Sequence, residues 1–241
     1  MTTHIEHASK LATIVHQLHE LDDVEEVAAA AVEEGAALLG SGHLNLMLSR
    51  HRRLQSDSAS DHALATACEA QTDLDQGPAI DVLHGSGADY CPDLTQTGLW
   101  PLWAPVAADQ GWRSWLSIAL VARGRLIGVF NYADTDAGTL STDQSDLLRE
   151  LSVHSAVALD SIQTRVNLAR AVEARSHVGQ AIGVLMERFG ITADQAFAIL
   201  RRYSQDQQRK LHDVATELLD TNELPAPSPT NRSGWTDQPR P

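Results

Sequence analysis

ARSHVGQAIGVLMERFGITADQAFAILRRYSQDQQRKLHDVATELL, running from Ala174 to Leu219, contains three short helices together with the signals that start and stop them. In the first, Val178, Ile182, Leu185, Met186 and Phe189 recur at three- and four-residue spacing, which places them on one face. Gly190 ends that helix, because glycine accepts the left-handed conformation that closes helices. Thr192 to Gln195 has the Thr-x-x-Gln pattern of a capping box, in which the two side chains satisfy free backbone donors at a helix start. The second helix is expected to bury Ala196, Phe197, Leu200 and Tyr203. The polar run Ser204 to Gln208 breaks the pattern, and a third helix follows with Leu211, Val214, Ala215, Leu218 and Leu219 in one stripe. Each stripe is too narrow for a helix buried all round, and three of them close on one small core.

Arg201, Arg202, Arg209 and Lys210 crowd the junction of the second and third helices, in a chain of formal charge -14. Spacing alone leaves two readings open, a solvated cationic face that complements helix dipoles or an anion-binding surface. The residues Gln180-Ala181, Leu185-Met186, Thr192-Ala193-Asp194-Gln195-Ala196, Leu200-Arg201, Ser204 and Arg209-Lys210-Leu211 to Val214-Ala215 together closely resemble the ANTAR domain. That family is a three-helix RNA-binding module of transcription antitermination regulators. Two positions depart from its pattern: Ile182, where many members carry a basic residue, and Gln208, where Asn is frequent. The resemblance implies RNA contacts from Arg201, Arg202, Ser204, Gln208, Arg209 and Lys210, with the cations on phosphates and Ser204 and Gln208 on base edges.

At 241 residues the chain accommodates two modest domains, and its 43% hydrophobic content supports ordered cores. Residues 1–169 hold nine basic and 23 acidic side chains, the whole of the net negative charge, whereas residues 170–222 hold seven of each. A nucleic acid is repelled by the larger part and approaches only the smaller. No apolar run reaches the roughly 20 residues that span a bilayer, and MTTHIEHASK lacks the basic and apolar regions of a signal peptide. The expectation is a cytoplasmic protein without a membrane partner. Cys68 and Cys91 form no metal or redox spacing. His4/His7 and His16/His19 stand at i, i+3 without a third ligand nearby, so surface histidines are expected and no metal is assigned.

Ahead of the C-terminal module, residues 5–39 are expected to be helical up to Gly40-Ser41-Gly42. Leu44, Leu46 and Leu48 alternate as in a half-buried strand, and Arg50, Arg52 and Arg53 follow as a hairpin rim. A helical piece around Leu64 and Cys68 precedes the Gly77-Pro78 turn and a short helix. Ser114 to Val121 and Leu126 to Tyr132, joined by Arg123-Gly124-Arg125, make a central antiparallel hairpin. This order, with Gly77-Pro78-Ala79-Ile80-Asp81, Pro92-Asp93-Leu94, Trp112-Arg113-Ser114-Trp115-Leu116-Ser117 and Gly124-Arg125-Leu126-Ile127-Gly128-Val129, resembles a GAF domain over roughly residues 10 to 163. GAF domains are antiparallel sheets with helices, and many enclose a small-molecule pocket. Trp103, Trp115, Cys91 and Tyr132 are candidates to line a pocket or to pack a core. The Asn-Lys-x-Phe-Asp-Glu pattern of cyclic-nucleotide GAF domains and the Cys-His pair of bilin attachment are both absent. His43, His84 and His154 stand alone, so the GAF ligand and any cofactor stay unassigned.

Ser141 and Gln144 form a second capping box, and neither Pro nor Gly interrupts the chain from Leu147 to Val178. Leu159, Ile162, Val166 and Ala169 follow 3-4-3 spacing, the seam of a short parallel coiled coil or a face packed on the chain's own sheet. From Glu223 the chain turns to Pro, Ser, Thr and Asn, the composition of a disordered tail. The expected organisation is an α+β GAF domain over 1–163, a linker helix over about 141–180, an all-α three-helix ANTAR module over 164–222, and a tail over 223–241. The expected function is a signal-responsive, homodimeric antitermination regulator that binds hairpin RNA in leader transcripts, with a small molecule or protein acting on the GAF domain. Two alternatives remain, a DNA-binding regulator and a GAF-scaffold redox enzyme. The latter has only two cysteines to work with and no phosphate loop, nucleophile elbow or metal cluster.

Overall fold

The computed structural model describes residues 2–223, with side chains from residue 9 onward. The expected tail beyond Glu223 and the side chains of His4 and His7 lie outside the described residues. The chain divides into two compact units, Met1–Thr164 and Arg165–Pro241.

The first unit opens with α1 (Thr2–Glu20) and α2 (Val24–Leu39). The single helical region expected over 5–39 is thus two helices. Asp23 starts α2 by accepting from the Glu25 and Glu26 amides at 2.7 and 3.2 Å. Gly40, left-handed at φ 70°, ends it. There follow β1 (His43–Arg50), β2 (Arg53–Ala59), α3 (His62–Leu74), α4 (Pro78–Leu83), β3 (Ala88–Cys91), α5 (Trp103–Asp109), β4 (Ser114–Ala122) and β5 (Arg125–Asp134). The strands form one five-stranded antiparallel sheet in the order β2-β1-β5-β4-β3. The β4–β5 hairpin is therefore in the sheet interior, as its apolar strands require.

One face of the sheet carries α3, α4 and α5, whose residues join Met47, Trp115, Val129 and Ala133 in a single buried cluster. The other face is covered by α2 and by α6 (Thr142–Phe189): a Cβ added at Gly35 of α2 would meet Leu151 of α6 at 2.6 Å and Leu44 of β1 at 2.8 Å. The half-buried alternation expected of β1 is overturned, since every residue from Leu44 to Leu48 is buried. Helices cover β1 on both faces, so no face is left to water.

Asn45 lies inside as a consequence. It belongs to a polar ladder: Asn45 Nδ2 donates to Ser56 Oγ (2.7 Å), Asn131 Nδ2 to Asn45 Oδ1 (3.2 Å), and Ser117 Oγ to Asn131 Oδ1 (2.6 Å). Asn45, Ser117 and Asn131 are fully buried, and a slip of any strand would leave them unpaired, so the ladder pins the register of β2, β1, β5 and β4.

The predicted capping box at α6 is present, with Ser141 N donating to Gln144 Oε1 (3.0 Å) and Gln144 N to Ser141 Oγ (3.2 Å). Gln144 Nε2 also reaches Leu39 O at 3.1 Å and Ser41 Oγ at 2.9 Å, which ties the start of α6 to the end of α2. The helix runs 48 residues without a break and passes the division between the units. The second unit is completed by α7 (Ala193–Asp206) and α8 (Leu211–Thr221), closed on Ala181, Leu185, Ala196, Leu200, Val214, Ala215 and Leu218.

Candidate nucleic-acid interface

In the second unit Gly190 closes α6 with φ 64°, its amide donating to Met186 O at 2.9 Å. The Thr192–Gln195 capping box is fully formed at the start of α7. Three residues expected in the core lie outside it. Met186, Phe189 and Phe197 are 38%, 54% and 37% exposed, while Ala181, a small residue between Val178 and Leu185, is fully buried instead. The core positions are taken by Ala181, Ala196 and Ala215 with Leu185, Leu200, Val214 and Leu218, which leaves Met186, Phe189 and Phe197 at the rim.

The six residues implied for RNA contact all fall at the C-terminal end of α7 or in the turn to α8, but they differ in what already holds them. Arg201 and Lys210 are exposed and take part in no ion pair among the described residues. Arg202 reaches Asp206 one turn on at 3.6 Å, an exposed pair of small energetic weight. Arg209 is paired with Glu217 of α8 and touches Gln207 Oε1 at 3.4 Å. Ser204 Oγ donates to the Arg209 carbonyl at 2.6 Å, so its proton closes the turn and only its lone pairs remain to meet a base. Gln208 has φ 53°, in the left-handed region where glycine and asparagine are favoured. The frequent Asn of the family at this position has a backbone reason that needs no base contact. Lys210 stands in extended backbone at the start of α8, with no side-chain cap.

Of the four expected seam residues, Leu159 and Ile162 are 2% and 3% exposed, buried in the first unit. They face the unit's own core and have no surface to offer a second chain, a correction to the sequence expectation. Val166 is half-buried and Ala169 exposed. Besides Met186 and Phe189 near its end, α6 exposes large apolar side chains at Val153 and Val157 in the first unit and at Leu168 and Val172 in the second, each pair one turn apart on the helix. Asp160, between them in sequence and only 3% exposed, receives Arg123 Nε at 3.0 Å and Arg125 Nη2 at 2.9 Å. The β4–β5 turn is thereby clamped to α6. Nothing in the sequence spacing pointed to this contact, because the two arginines precede Asp160 by 37 and 35 positions.

Inside the first unit, the side chains considered for a pocket are packed. Trp100, Trp103 and Trp115 make successive edge-on contacts, with ring centroids 5.8 and 4.9 Å apart. Their indole N–H groups are used: Trp103 on Ala67 O (2.8 Å), Trp115 on Ser117 Oγ (3.1 Å), Trp100 on Asp81 Oδ2 (2.7 Å). Asp81, which follows the Gly-Pro turn, is thus tied to the tryptophan cluster. Asp93 likewise takes a two-pronged bond from Arg113, Nε at 3.0 Å and Nη2 at 2.8 Å, which holds its carboxyl well below the usual carboxylate range. Tyr132 is buried and donates to Asp134 Oδ2 at 3.1 Å. His43 packs edge-on against Trp112, centroids 5.4 Å apart. Cys68 and Cys91 are buried free thiols, and burial pushes both above their ordinary range, which disfavours the nucleophilic thiolate.

Comparison with known proteins agrees with this division. The GAF domain family matches residues 21–160, and the ANTAR domain family matches residues 167–219. Curated proteins yield no match. Among solved structures, the GAF domain of an Acinetobacter phosphoenolpyruvate-protein phosphotransferase is similar at a TM-score of 0.54 and 13% identity, covering 65% of this chain and 94% of that one. The bacteriophytochrome RpBphP3 of R. palustris is similar at 0.58 and 11% identity, covering 81% of this chain and 46% of that one. Free methionine-R-sulfoxide reductase of Neisseria meningitidis is similar at 0.51 and 13% identity, covering 66% and 91%. At such identities the likeness concerns the fold. Among the described residues no helix is long and apolar enough to cross a membrane. With a packed antiparallel sheet matched over more than half the chain and a capped three-helix unit after it, the chain belongs to the GAF domain family and carries an ANTAR domain, the architecture of a signal-regulated ANTAR-type regulator.

Proposed function

We propose that the chain is a cytoplasmic transcription antitermination regulator that binds hairpin RNA through its ANTAR unit, under control of a signal received by its GAF unit. The observation that carries this reading is the pair Arg201 and Lys210, exposed and without ion-pair partners among the described residues, beside the turn where Ser204 and Gln208 stand. Arg202 and Arg209 add positive potential but must leave Asp206 and Glu217 to meet phosphate fully. Sequence reading of RNA uses unstacked loop bases, because the A-form major groove is too narrow for side chains. The acidic GAF unit repels the rest of the nucleic acid, which confines contact to this face. No catalytic role is assigned to either unit; burial of both thiols argues against the redox alternative.

A dimer fits two-hairpin leader RNA, since two linked modules gain affinity by holding both hairpins. Its seam on α6 is carried by the exposed Leu168 and Val172, one turn apart, with Ala169 beside them, in place of the buried Leu159 and Ile162; Val166 falls on the other side of the helix from Leu168. The uninterrupted α6 supplies a stiff element through which a change in the GAF unit biases the ANTAR unit.

The test is binding of the purified chain to a two-hairpin RNA, a single hairpin and duplex DNA, with the mass of the free protein measured in parallel. Preference for the double hairpin, lost in Arg201→Glu and in Lys210→Glu and largely retained in Arg202→Glu, is expected. Equal loss in all three variants would reduce the effect to net charge. Salt-dependent duplex DNA binding tighter than RNA binding would replace this reading with a DNA-binding regulator.

A further inference from the structure

Phe197 is one of the large apolar side chains, with Met186 and Phe189, that the ANTAR unit leaves outside its core. Its neighbour Ala196 is fully buried, and so is Leu200 one turn on, yet Phe197 keeps 37% of its surface in water. Phe197, Arg201 and Ser204 stand at i, i+4 and i+7 on α7, so they form one stripe along a flank of that helix. The opposite flank carries Arg202 and Asp206, which are paired with each other. The aromatic side chain thus shares its flank with the uncommitted arginine. At the end of the stripe the Ser204 hydroxyl, donating to the Arg209 carbonyl, fastens the turn that presents Lys210. A lone exposed apolar side chain is ordinary on any surface. An exposed ring in line with a cation that has no ion-pair partner among the described residues, and ending beside a second such cation, is a different object.

We propose that Phe197 is a stacking platform for an unpaired RNA base, with Arg201 holding the adjoining phosphate or extending the stack and Lys210 holding the backbone beyond it. This rests on the RNA-binding reading given above and names the part of the RNA that the face takes, an unstacked loop nucleotide. The physical basis is that every base offers a π face to an aromatic ring, and that splayed loop bases are the part of a hairpin free to use it. An A-form stem buries its base faces in its own stack and leaves a ring on α7 nothing to cover. The phenyl ring has no hydrogen-bonding group, so the contact is tolerant of base identity, and sequence preference falls to the polar groups around the turn.

The probe is the tightest binder selected by the full-length chain from a pool of two-hairpin RNAs with randomised loops. Phe197→Ala and Phe197→Leu are expected to weaken its binding roughly 5- to 150-fold, while Phe197→Trp retains it. Leucine keeps apolar bulk but offers no π face, so a merely structural role would spare Phe197→Leu; far-UV circular dichroism checks that the helices persist. The slope of log affinity against log salt is expected to stay unchanged in Phe197→Ala and to fall by about one in Arg201→Ala. An abasic site at one loop position should weaken the natural chain and leave Phe197→Ala unaffected. Full affinity in Phe197→Leu overturns the stacking role while leaving RNA binding in place. A changed mass of the free protein with unchanged RNA affinity assigns Phe197 to a protein contact and overturns it equally. Failure of the selection to yield any RNA removes the RNA-binding reading, and this inference with it.

Discussion

Removing the two ends of the clamp between the β4–β5 turn and α6 should not cost the same. The Asp160 side chain is 4% exposed, whereas Arg123 and Arg125, which meet it at 3.0 and 2.9 Å, are 70% and 67% exposed. Asp160→Asn returns two arginines to water that already solvates them and keeps an amide oxygen as acceptor. The loss is that of charge-assisted hydrogen bonds, about 1–2 kcal/mol. Either arginine alone, mostly in water, contributes no more than about 1 kcal/mol while the other still pairs. Replacing both by glutamine leaves a buried carboxylate without a countercharge, a defect of about 3–5 kcal/mol. The double variant should therefore exceed both the sum of its single variants and the cost of Asp160→Asn. Urea unfolding followed by tryptophan emission reads this directly, because Trp100, Trp103, Trp112 and Trp115 are all buried in the first unit; a Trp235→Phe background removes the remaining indole. Unchanged slopes would keep the comparison two-state. Additive arginine effects, or Asp160→Asn as damaging as the double variant, would refute the reasoning that the cost lies in the buried carboxylate.

Gln208→Gly should raise the thermal midpoint of the ANTAR unit by relieving a left-handed residue, a gain of about 1 kcal/mol; a destabilised variant by circular dichroism would mean the side chain itself supports the turn. Asp93 is held below its ordinary value of 3.8 by the Arg113 side chain. The unfolded chain then binds the extra proton first, so this pair stabilises above pH 3.8 and the contribution fades as pH falls through the lowered folded value. Arg113→Gln should accordingly flatten the acid limb of the stability profile below about pH 5, and an unchanged limb would show that other carboxylates dominate it. Gly128→Ala places a Cβ 2.3 Å from the Met47 carbonyl oxygen in the sheet centre; a loss of about 1–3 kcal/mol is expected, and a neutral result in urea would mean the β1–β5 ladder yields there.

The capping boxes at Ser141 and Thr192 are legible in the sequence alone, because a cap is made by residues three apart whose partners are fixed by helix geometry. So are the β4–β5 hairpin and the stop at Gly190. The division of residues 5–39 into two helices was missed: Asp23 is followed directly by the periodic pattern of the next helix, and the apolar spacing bridges the cap. Phe197 was placed in the core on spacing alone. Its exposure depends on how closely α6, α7 and α8 approach, which spacing does not contain. Leu159 and Ile162 satisfied a coiled-coil seam, but the same period serves a helix buried against its own domain, and folding buried both within the first unit.

Local signals in the chain were therefore sufficient for the two families, the central hairpin, the long α6 and the place of the cationic turn. They rest on short-range rules of capping, periodicity and turn chemistry, and on motif words with little freedom. Which face of each element meets which neighbour was decided by tertiary structure. Asn45 became interior because β1 is covered on both faces, and Arg123 and Arg125 found Asp160 because a hairpin tip happens to reach a helix far along the chain. Among the cations, only folding separated Arg202 and Arg209, already paired, from Arg201 and Lys210, which have no ion-pair partner among the described residues. Burial and charge pairing depend on distances between residues remote in sequence, and those distances come into being only when the elements pack.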